Sequence, residues 1–188
     1  MEPIAPGSSL AVRIATPDSV DVAELADVAA RTFPLACPPS VSHANIASFV
    51  DANLSDARFT EYLADPRRLI LTASQHDRIV GYAMLIQGVG DDPEVQQAVP
   101  VRPAVELSKM YVLPDNHGSG VATALMDAAL AAAVDWDANC VWLGVNQKNH
   151  RAQRFYKKSG FTVNGTRTFQ LGGHDEDDYV MVRPMGTA

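Results

Sequence analysis

The sequence has little cysteine and no long apolar run. Its 188 residues include two cysteines, Cys37 and Cys140, which form neither a metal-ligand spacing nor a disulfide framework, so we expect a reducing compartment. No run approaches the roughly 20 apolar residues needed to cross a bilayer. The first ten residues also lack the basic and apolar regions of a signal peptide. These absences predict a soluble, cytoplasmic protein without a membrane partner.

Basic residues are also scarce. The chain has 15 Lys and Arg against 22 Asp and Glu, a formal charge of −7 at pH 7. Binding to nucleic-acid phosphates needs clustered Lys and Arg, and only one modest basic group occurs, between Lys148 and Lys158. The balance argues against a nucleic-acid partner. It suits a cationic small molecule, although negative charge also serves solubility alone.

Hydrophobic patterning predicts one α/β domain over residues 10–188, preceded by a flexible arm over residues 1–9. The length and 47% hydrophobic content suffice for one sizeable core. We expect a mixed sheet of about seven strands with helices on both faces, antiparallel at its start and end and parallel in the middle. The predicted strands are Leu10–Ile14, Leu69–Ser74, Ile79–Gln87, Val105–Leu113, Cys140–Val145, Phe161–Leu171 and Asp178–Arg183.

Helical spacing predicts the segments between these strands. A first helix runs to about Thr32 and ends where Pro34 breaks the chain. Residues 42–64 are typical of one or two irregular helices. Ser119–Val134 and His150–Ser159 have the apolar spacing of amphipathic helices.

Two further segments are interpreted as irregular. Gly88–Ala104 has few bulky apolar residues and is expected to be an insertion loop. Asp175–Asp178 is expected to form an acidic turn, which either attracts a polyamine or is simply solvated. Further candidates for contact with a cationic ligand are Asp51, Asp56, Glu61 and, as an apolar wall, Phe33.

The connection from Tyr111 to Ala122 has the composition of an anion-binding turn. It reads Tyr-Val-Leu-Pro-Asp-Asn-His-Gly-Ser-Gly-Val-Ala and joins a strand to a helix. Unpaired N–H groups at a helix N-terminus bind pyrophosphate, and Gly118 and Gly120 remove the Cβ atoms that would block approach. The third glycine of a dinucleotide fingerprint and the Gly-Lys-Ser/Thr of a P-loop are missing. The alternative is an ordinary strand–helix turn.

A second motif follows the Cys140–Val145 strand. It reads Asn-His-Arg-Ala-Gln-Arg-Phe-Tyr-Lys-Lys-Ser-Gly-Phe from Asn149 to Phe161. Ala152 and Tyr156 are four residues apart, so they share one helix face, with Asn149 at its N-terminal end. We expect this face to line a ligand; the alternative is a core aromatic with its hydroxyl in water.

Together, these segments resemble the motifs of the GNAT superfamily of N-acetyltransferases. The first is similar to Gln/Arg-x-x-Gly-x-Gly/Ala, with His117, Gly120 and Ala122 at the fixed positions. The second matches Asn-x-x-Ala-x-x-Phe-Tyr-x-x-x-Gly-Phe at every fixed position. The resemblance implies a single-domain GNAT fold, acetyl-CoA as co-substrate, no metal, and direct acetyl transfer to a primary amine without a covalent acetyl-enzyme.

The resemblance also implies residue roles. Tyr156 is the acid that protonates the departing thiolate, a reasonable role for a phenol of pKa about 10 held against a thiol of pKa about 8.5. His117 departs from the usual Arg or Gln, which predicts a weaker or more pH-sensitive coenzyme affinity. Arg154, Lys157 or Lys158 meets the 3′-phosphate or forms a solvated face. The implied coenzyme-binding residues are Met110, Tyr111, Val112, His117, Gly118, Ser119, Gly120, Val121, Ala122, Thr123, Asn149, Ala152 and Tyr156.

Glu106 is the implied general base, acting through water, with a surface carboxylate as the alternative. Period-two alternation places Glu106, Ser108, Met110 and Val112 on one face of their strand, a register that a bulge would shift. A backbone N–H at Met110 or a neighbour is the implied stabiliser of the thioester oxygen as it becomes negative.

The acceptor amine is left open. Thr168–Gly172, followed by Asp178 and Met181, and Trp142–Val145 are similar to the bacterial spermidine/spermine N-acetyltransferase branch, in which Gln often stands where this chain has Glu176. A small-molecule amine, such as a polyamine, is therefore the main hypothesis. The alternatives are a protein or peptide acceptor and a non-catalytic acetyl-CoA sensor. Monomer and homodimer both stay open.

Overall fold

The computed structural model describes residues 9–171 and 173–186. The predicted arm therefore lies, except for Ser9, outside the described residues. The strands are β1 (Ala11–Ala15), β2 (Arg68–Gln75), β3 (Arg78–Gln87), β4 (Ala104–Val112), β5 (Cys140–Asn146), β6 (Thr162–Leu171) and β7 (His174–Pro184). The helices are α1 (Val22–Ala36), α2 (His43–Asn53), α3 (Asp56–Ala64), α4 (Pro93–Ala98), α5 (Val121–Asp135) and α6 (His150–Lys158).

The seven strands form one mixed sheet in the order β1-β2-β3-β4-β5-β7-β6. β4 and β5 are parallel, with α5 connecting them, and the other neighbours are antiparallel. This confirms the predicted fold class and the predicted parallel centre. The sheet brings β4 and β5 to the middle of the domain, where both faces are covered.

Helices cover the two faces of the sheet. On one side α5 packs through an apolar stripe that includes Leu125, Met126 and Ala129, and α6 lies beside it. On the other side α1 contributes Leu25 and Phe33 to a second core, together with α2 and α3. None of the helices in residues 9–171 and 173–186 is long and apolar enough to span a membrane.

Side-chain caps explain where several helices begin. Asp21 accepts a hydrogen bond from the N–H of Glu24 at the start of α1, and serines do the same for α2 and α3. The predicted end of the first helix near Thr32 is wrong, because α1 continues through Pro34 to Ala36. Its last turn closes with a hydrogen bond from the N–H of Cys37 to the Pro34 carbonyl, an acceptor that proline retains.

The interpretation of Gly88–Ala104 as an insertion loop missed the helix α4 within it. Asp92 accepts a hydrogen bond from the N–H of Glu94, and Pro93 takes the first helical position of α4, where a missing N–H costs nothing. Val95 and Ala98 are buried against the sheet, which fixes this short helix in place.

The expected acidic turn over Asp175–Asp178 is also wrong, because all four residues belong to β7. The connection between β6 and β7 comes earlier, after Leu171. Strand alternation sends Glu176 and Asp178 inward, where each is 5% exposed, and leaves Asp175 and Asp177 in solvent. The sequence suggested a surface turn here, so it did not indicate that Glu176 and Asp178 are buried.

Candidate active site

A wedge opens between the central strands β4 and β5. They pair through three residues each, Ala104–Glu106 with Cys140–Trp142. Beyond this point β4 stays paired with β3 as far as Val112, and β5 stays paired with β7 as far as Asn146. The facing edges therefore diverge, and their backbone N–H and C=O groups become available to a ligand.

One cavity of about 700 Å³ occupies the wedge and extends past it in two directions. The helix end is lined by His117, Gly118, Gly120, Ala122, Thr123, Asn149, Arg151, Ala152, Phe155 and Tyr156. The aromatic end is lined by Phe33, Cys37, Phe49, Glu106, Lys109, Arg167, Phe169, Glu176 and Asp178. The stretch of β4 from Met110 to Val112 lies along the same cavity.

The helix end contains an open helix N-terminus. Gly118 and Gly120 have φ values of 78° and 86°, in the left-handed region that favours glycine. A Cβ at either position would meet no heavy atom of the described chain within 4 Å. Gly120 is the N-cap of α5 and no described side chain caps the helix. The free N–H groups and the helix dipole fit a pyrophosphate.

His117 points back at its own strand. Its Nε2 lies 2.8 Å from the carbonyl oxygen of Val112, and since a carbonyl only accepts, Nε2 carries the proton. His117 lines the cavity, but two of the predicted coenzyme-binding residues, Ser119 and Val121, do not. The Ser119 hydroxyl donates to the Asn116 carbonyl, and Val121 is buried in the core beneath α5.

The second motif lines the cavity and also starts its own helix. The Asn149 Oδ1 accepts a hydrogen bond from the N–H of Ala152 over 3.2 Å, which caps α6. Ala152 and Tyr156 then lie on the cavity face, as their spacing predicted. The basic residue of α6 that lines the cavity is Arg151. The three predicted for the 3′-phosphate, Arg154, Lys157 and Lys158, are exposed outside that lining.

Tyr156 is held as a neutral phenol. Its ring packs edge-on against Phe161 with the ring centroids 6.0 Å apart. Burial raises the pKa of Tyr156 to about 12. Burial, followed by the nearby Tyr156, also raises the pKa of Tyr111. Both hydroxyls are therefore protonated at neutral pH, so Tyr156 is able to donate a proton.

A β-bulge interrupts β4 beside the wedge. Met84 of β3 pairs with Lys109, and its neighbour Leu85 pairs with Leu107, so Ser108 is an extra residue. The inserted residue reverses the alternation of side chains that follow it.

The predicted shared face of Glu106 with Met110 and Val112 is wrong because of this bulge. Met110 and Val112 pack in the core under α5, whereas Tyr111 packs on the α1 side. Glu106 therefore shares its side of the sheet with Lys109 and Tyr111. The bulge brings a carboxylate and an ammonium into one cavity.

Burial dominates the electrostatics of Glu106 and Lys109. It raises the pKa of the Glu106 carboxyl, and the charges of Arg167 and Lys109 oppose that rise. Burial lowers the pKa of the Lys109 ammonium to about 8, although Glu106 acts in the opposite direction. A carboxylate with a raised pKa is a stronger base than an exposed one, which suits proton abstraction from an amine.

Three phenylalanines form a wall at the aromatic end. Phe33 and Phe49 stack with ring centroids 4.5 Å apart, and Phe169 lies 5.6 Å from Phe49. Phe33 was expected to form an apolar wall, and it lies in this one. The acidic candidates Asp51, Asp56 and Glu61 are exposed and do not line the cavity.

An ion pair and a hydrogen-bonded carboxylate face this wall. Arg167 of β6 and Asp178 of β7 are direct cross-strand partners, with Nε 3.2 Å from Oδ2. Glu176 accepts hydrogen bonds from Asn146 over 3.2 Å and from His174 over 3.0 Å. Within the described ranges, no three His, Cys, Asp or Glu side chains are grouped to hold a metal ion.

Sequence reasoning missed Lys109, Arg151 and Arg167 as cavity residues. Arg167 and Phe169 are two residues apart on one strand. Side chains at that spacing point to the same face of a sheet, so the sequence could have predicted that both lie on one face. Lys109 was hidden by the bulge, whose position the residue pattern of the strand does not show. Arg151 lies within a recognised motif but at one of its variable positions.

The model of the acetyltransferase (GNAT) family matches residues 25–161. An uncharacterised N-acetyltransferase of Mycobacterium tuberculosis is 66% identical over 165 residues, which are 88% of this chain and 98% of that protein. The family match includes the connection from Tyr111 to Ala122 and the whole of the second motif.

Solved structures share the fold. The PaiA N-acetyltransferase of Thermoplasma acidophilum, in complex with coenzyme A, superposes with a TM-score of 0.73 at 18% identity over 94% of this chain and 99% of that one. The ribosomal-protein-S18-alanine N-acetyltransferase of Escherichia coli has a TM-score of 0.65 at 19% identity, over 95% and 96%. With the family match, the chain belongs to the acetyltransferase (GNAT) family and is an acetyl-CoA-dependent N-acetyltransferase.

Proposed function

We propose that this enzyme transfers the acetyl group of acetyl-CoA directly to the primary amine of a small molecule. One observation carries the proposal: a single cavity joins the open N-terminus of α5 to Glu106 and the aromatic end. The co-substrate supplies an acetyl group activated as a thioester. The protein must then bind its phosphates, take a proton from the amine and return one to the thiolate.

The helix end suits the phosphates and the coenzyme arm. Backbone N–H groups from Gly118 to Thr123, except that of Ser119, which donates to the Asn116 carbonyl, hold the pyrophosphate. The edges of β4 and β5 hold the arm between them. Asn149, Ala152 and Tyr156 line the same path on α6. Arg151 takes the 3′-phosphate, because it is the basic residue of α6 on the cavity.

The proton balance gives Glu106 and Tyr156 their roles. Acetylation of an ammonium forms one N–C bond, breaks the C–S bond and releases one net proton. Glu106, directly or through water, accepts the proton that leaves before attack and passes it to solvent. Tyr156 donates its proton to the thiolate and takes up the second amine proton, which restores the phenol. Backbone N–H groups beside the bulge at Ser108 polarise the thioester oxygen.

A covalent acetyl-enzyme is disfavoured by the state of Cys37. This thiol lines the cavity, but burial, followed by the negative charge of Glu176, raises its pKa to about 11. Since the thiolate is the nucleophilic form, the thiol is a poor acetyl acceptor at neutral pH. Direct attack by the amine fits this environment better.

The acceptor classes make different demands on the aromatic end. A polyamine would pair its additional ammonium groups with carboxylates such as Glu176 and Asp178. A protein N-terminus or lysine would need an open groove for the following residues, and the wall formed by Phe33, Phe49 and Phe169 favours a small molecule instead.

The proposal is tested by following thiol release from acetyl-CoA with spermidine, spermine, amino acids, aminoglycosides and short peptides, beside a direct coenzyme titration. We expect selective release with one class of small amine. Turnover restricted to peptides would move the function to protein acetylation. A lack of coenzyme binding would remove the role given to residues 118–123.

A further inference from the structure

The aromatic end contains a guanidinium that the transfer chemistry does not use. The Arg167 side chain is 17% exposed, and its Nε donates to Asp178 Oδ2 over 3.2 Å. The guanidinium lies over the backbone of Gly144, where any Cβ would overlap it. The Phe169 ring is 5.7 Å from its central carbon. Packing on several sides therefore holds this charge in one place.

Two cations at this end have unused hydrogen-bonding capacity. Across residues 9–171 and 173–186, the hydrogen bond that Arg167 makes engages Nε alone, which leaves both terminal nitrogens for a ligand. Lys109 forms no salt bridge in the same ranges, and burial lowers the pKa of its ammonium to about 8. A half-buried ammonium without an ion-pair partner, such as that of Lys109, is costly. The arrangement favours an anionic group beside these two side chains.

The carboxylates of this end are mostly engaged already. Asp178 is paired with Arg167, and Glu176 accepts hydrogen bonds over 3.2 Å and 3.0 Å from an amide and an imidazole. The Glu106 carboxylate makes no hydrogen bond or ion pair with another described residue. A ligand with several ammonium groups would thus find one free carboxylate near two cations. A ligand with one ammonium and one carboxylate matches the groups that can still bind a ligand: Glu106 for the ammonium, and Arg167 and Lys109 for the carboxylate.

We propose that the acceptor is a free amino acid or a close analogue whose carboxylate binds Arg167 and Lys109. Its amine then lies beside Glu106, and its apolar side group packs on the phenylalanine wall. A guanidinium and a carboxylate match in geometry as well as charge, which explains the use of Arg. The inference rests on the proposed function, because it names the acceptor of that same site. A protein N-terminus has an amide at this position and a polyamine has no carboxylate.

The first test compares acids with their amides in the thiol-release assay. L-Phenylalanine is measured beside L-phenylalaninamide, and L-leucine beside L-leucinamide, so that each pair shares its amine and side chain. The amine of the amide is less basic, so more of it is unprotonated and able to attack at neutral pH. The amide is therefore the better acceptor if the enzyme does not recognise the carboxylate. We expect kcat/KM to be about 10-fold or more higher for at least one acid than for its amide. Equal or higher values for the amides, or faster turnover of spermidine than of either acid, overturn the proposal.

The second test removes the guanidinium without leaving a buried charge behind. The double variant Arg167→Gln, Asp178→Asn deletes both partners of the ion pair, and circular dichroism and the coenzyme titration verify its fold. We expect its acid-to-amide ratio to fall to about one, whereas Arg13→Gln, an exposed arginine of β1, keeps the wild-type ratio. An unchanged ratio in the double variant overturns the role of Arg167. Coenzyme binding without thiol release for any amine is instead the failure of the proposed function.

Discussion

The two ends of the cavity are built in different ways. The helix end comes from two short continuous segments, residues 117–123 and 149–156, and the first of them offers the uncapped N-terminus of α5. The aromatic end takes side chains from α1, α2, β4, β6 and β7. Backbone N–H groups in a fixed turn bind the same chemical group whichever side chains are present. Side chains from separate elements can be substituted independently of one another. Under the proposed function, the coenzyme site is therefore formed by local sequence, whereas the acceptor site depends on tertiary structure.

The largest effect is expected for the proton donor of the proposed mechanism. Tyr156→Phe removes the proton donor and should lower kcat by about 10²-fold to 10⁴-fold, with the acetyl-CoA Kd little changed. Steady-state thiol release and a coenzyme titration measure the two quantities. Tyr179→Phe, a half-buried tyrosine of β7 that does not line this cavity, is the matched control. Unchanged turnover in Tyr156→Phe would remove this residue from the mechanism.

The next effect should be confined to the helix end. Gly120→Val places a β-branched side chain at a positive φ and in the space proposed for the pyrophosphate. We expect the acetyl-CoA Kd to rise about 100-fold. Gly90→Val introduces the same kind of backbone strain away from the cavity, at φ 68°, and should leave the Kd near the wild-type value. Equal effects in both variants would attribute the loss to strain alone.

The sequence predicted the helix end far better than the aromatic end. Its two motifs are contiguous, so the elements around Gly118–Thr123 and Asn149–Tyr156 were predicted from spacing, and their roles from the resemblance of the motifs. Arg167 and Asp178 meet only through the register of β6 and β7, and β7 starts earlier than its apolar pattern indicated. A single inserted residue, Ser108, decides the face on which Lys109 lies. Local patterns do not encode such pairings.

A smaller effect should be confined to the aromatic end. Phe49→Ala removes the middle ring of the phenylalanine wall and should raise the acceptor KM about 10-fold, while the acetyl-CoA Kd stays unchanged. Ile46→Ala on the same helix, in the same core but off the cavity, serves as the control. A parallel loss of coenzyme affinity in Phe49→Ala would mean that the two ends are not independent.

The smallest effect concerns pH. A protonated Glu106 cannot accept a proton, and burial raises its pKa above the ordinary value of 4.5. The advantage of the wild type over Glu106→Gln in kcat/KM should therefore shrink as pH falls through that raised pKa. The ratio of the two profiles cancels the titration of the amine itself, which both enzymes share. A ratio that stays constant with pH would contradict the role of Glu106 as base.

Hydrogen exchange with and without acetyl-CoA tests the division of the cavity most directly. The first N–H groups of α5 have no side-chain cap among the described residues and should exchange quickly in the free protein. We expect acetyl-CoA to slow exchange in peptides covering residues 117–124 and 107–112, with much less change at 33–37 and 167–171. Protection centred on the aromatic end, with none at 117–124, would contradict the account.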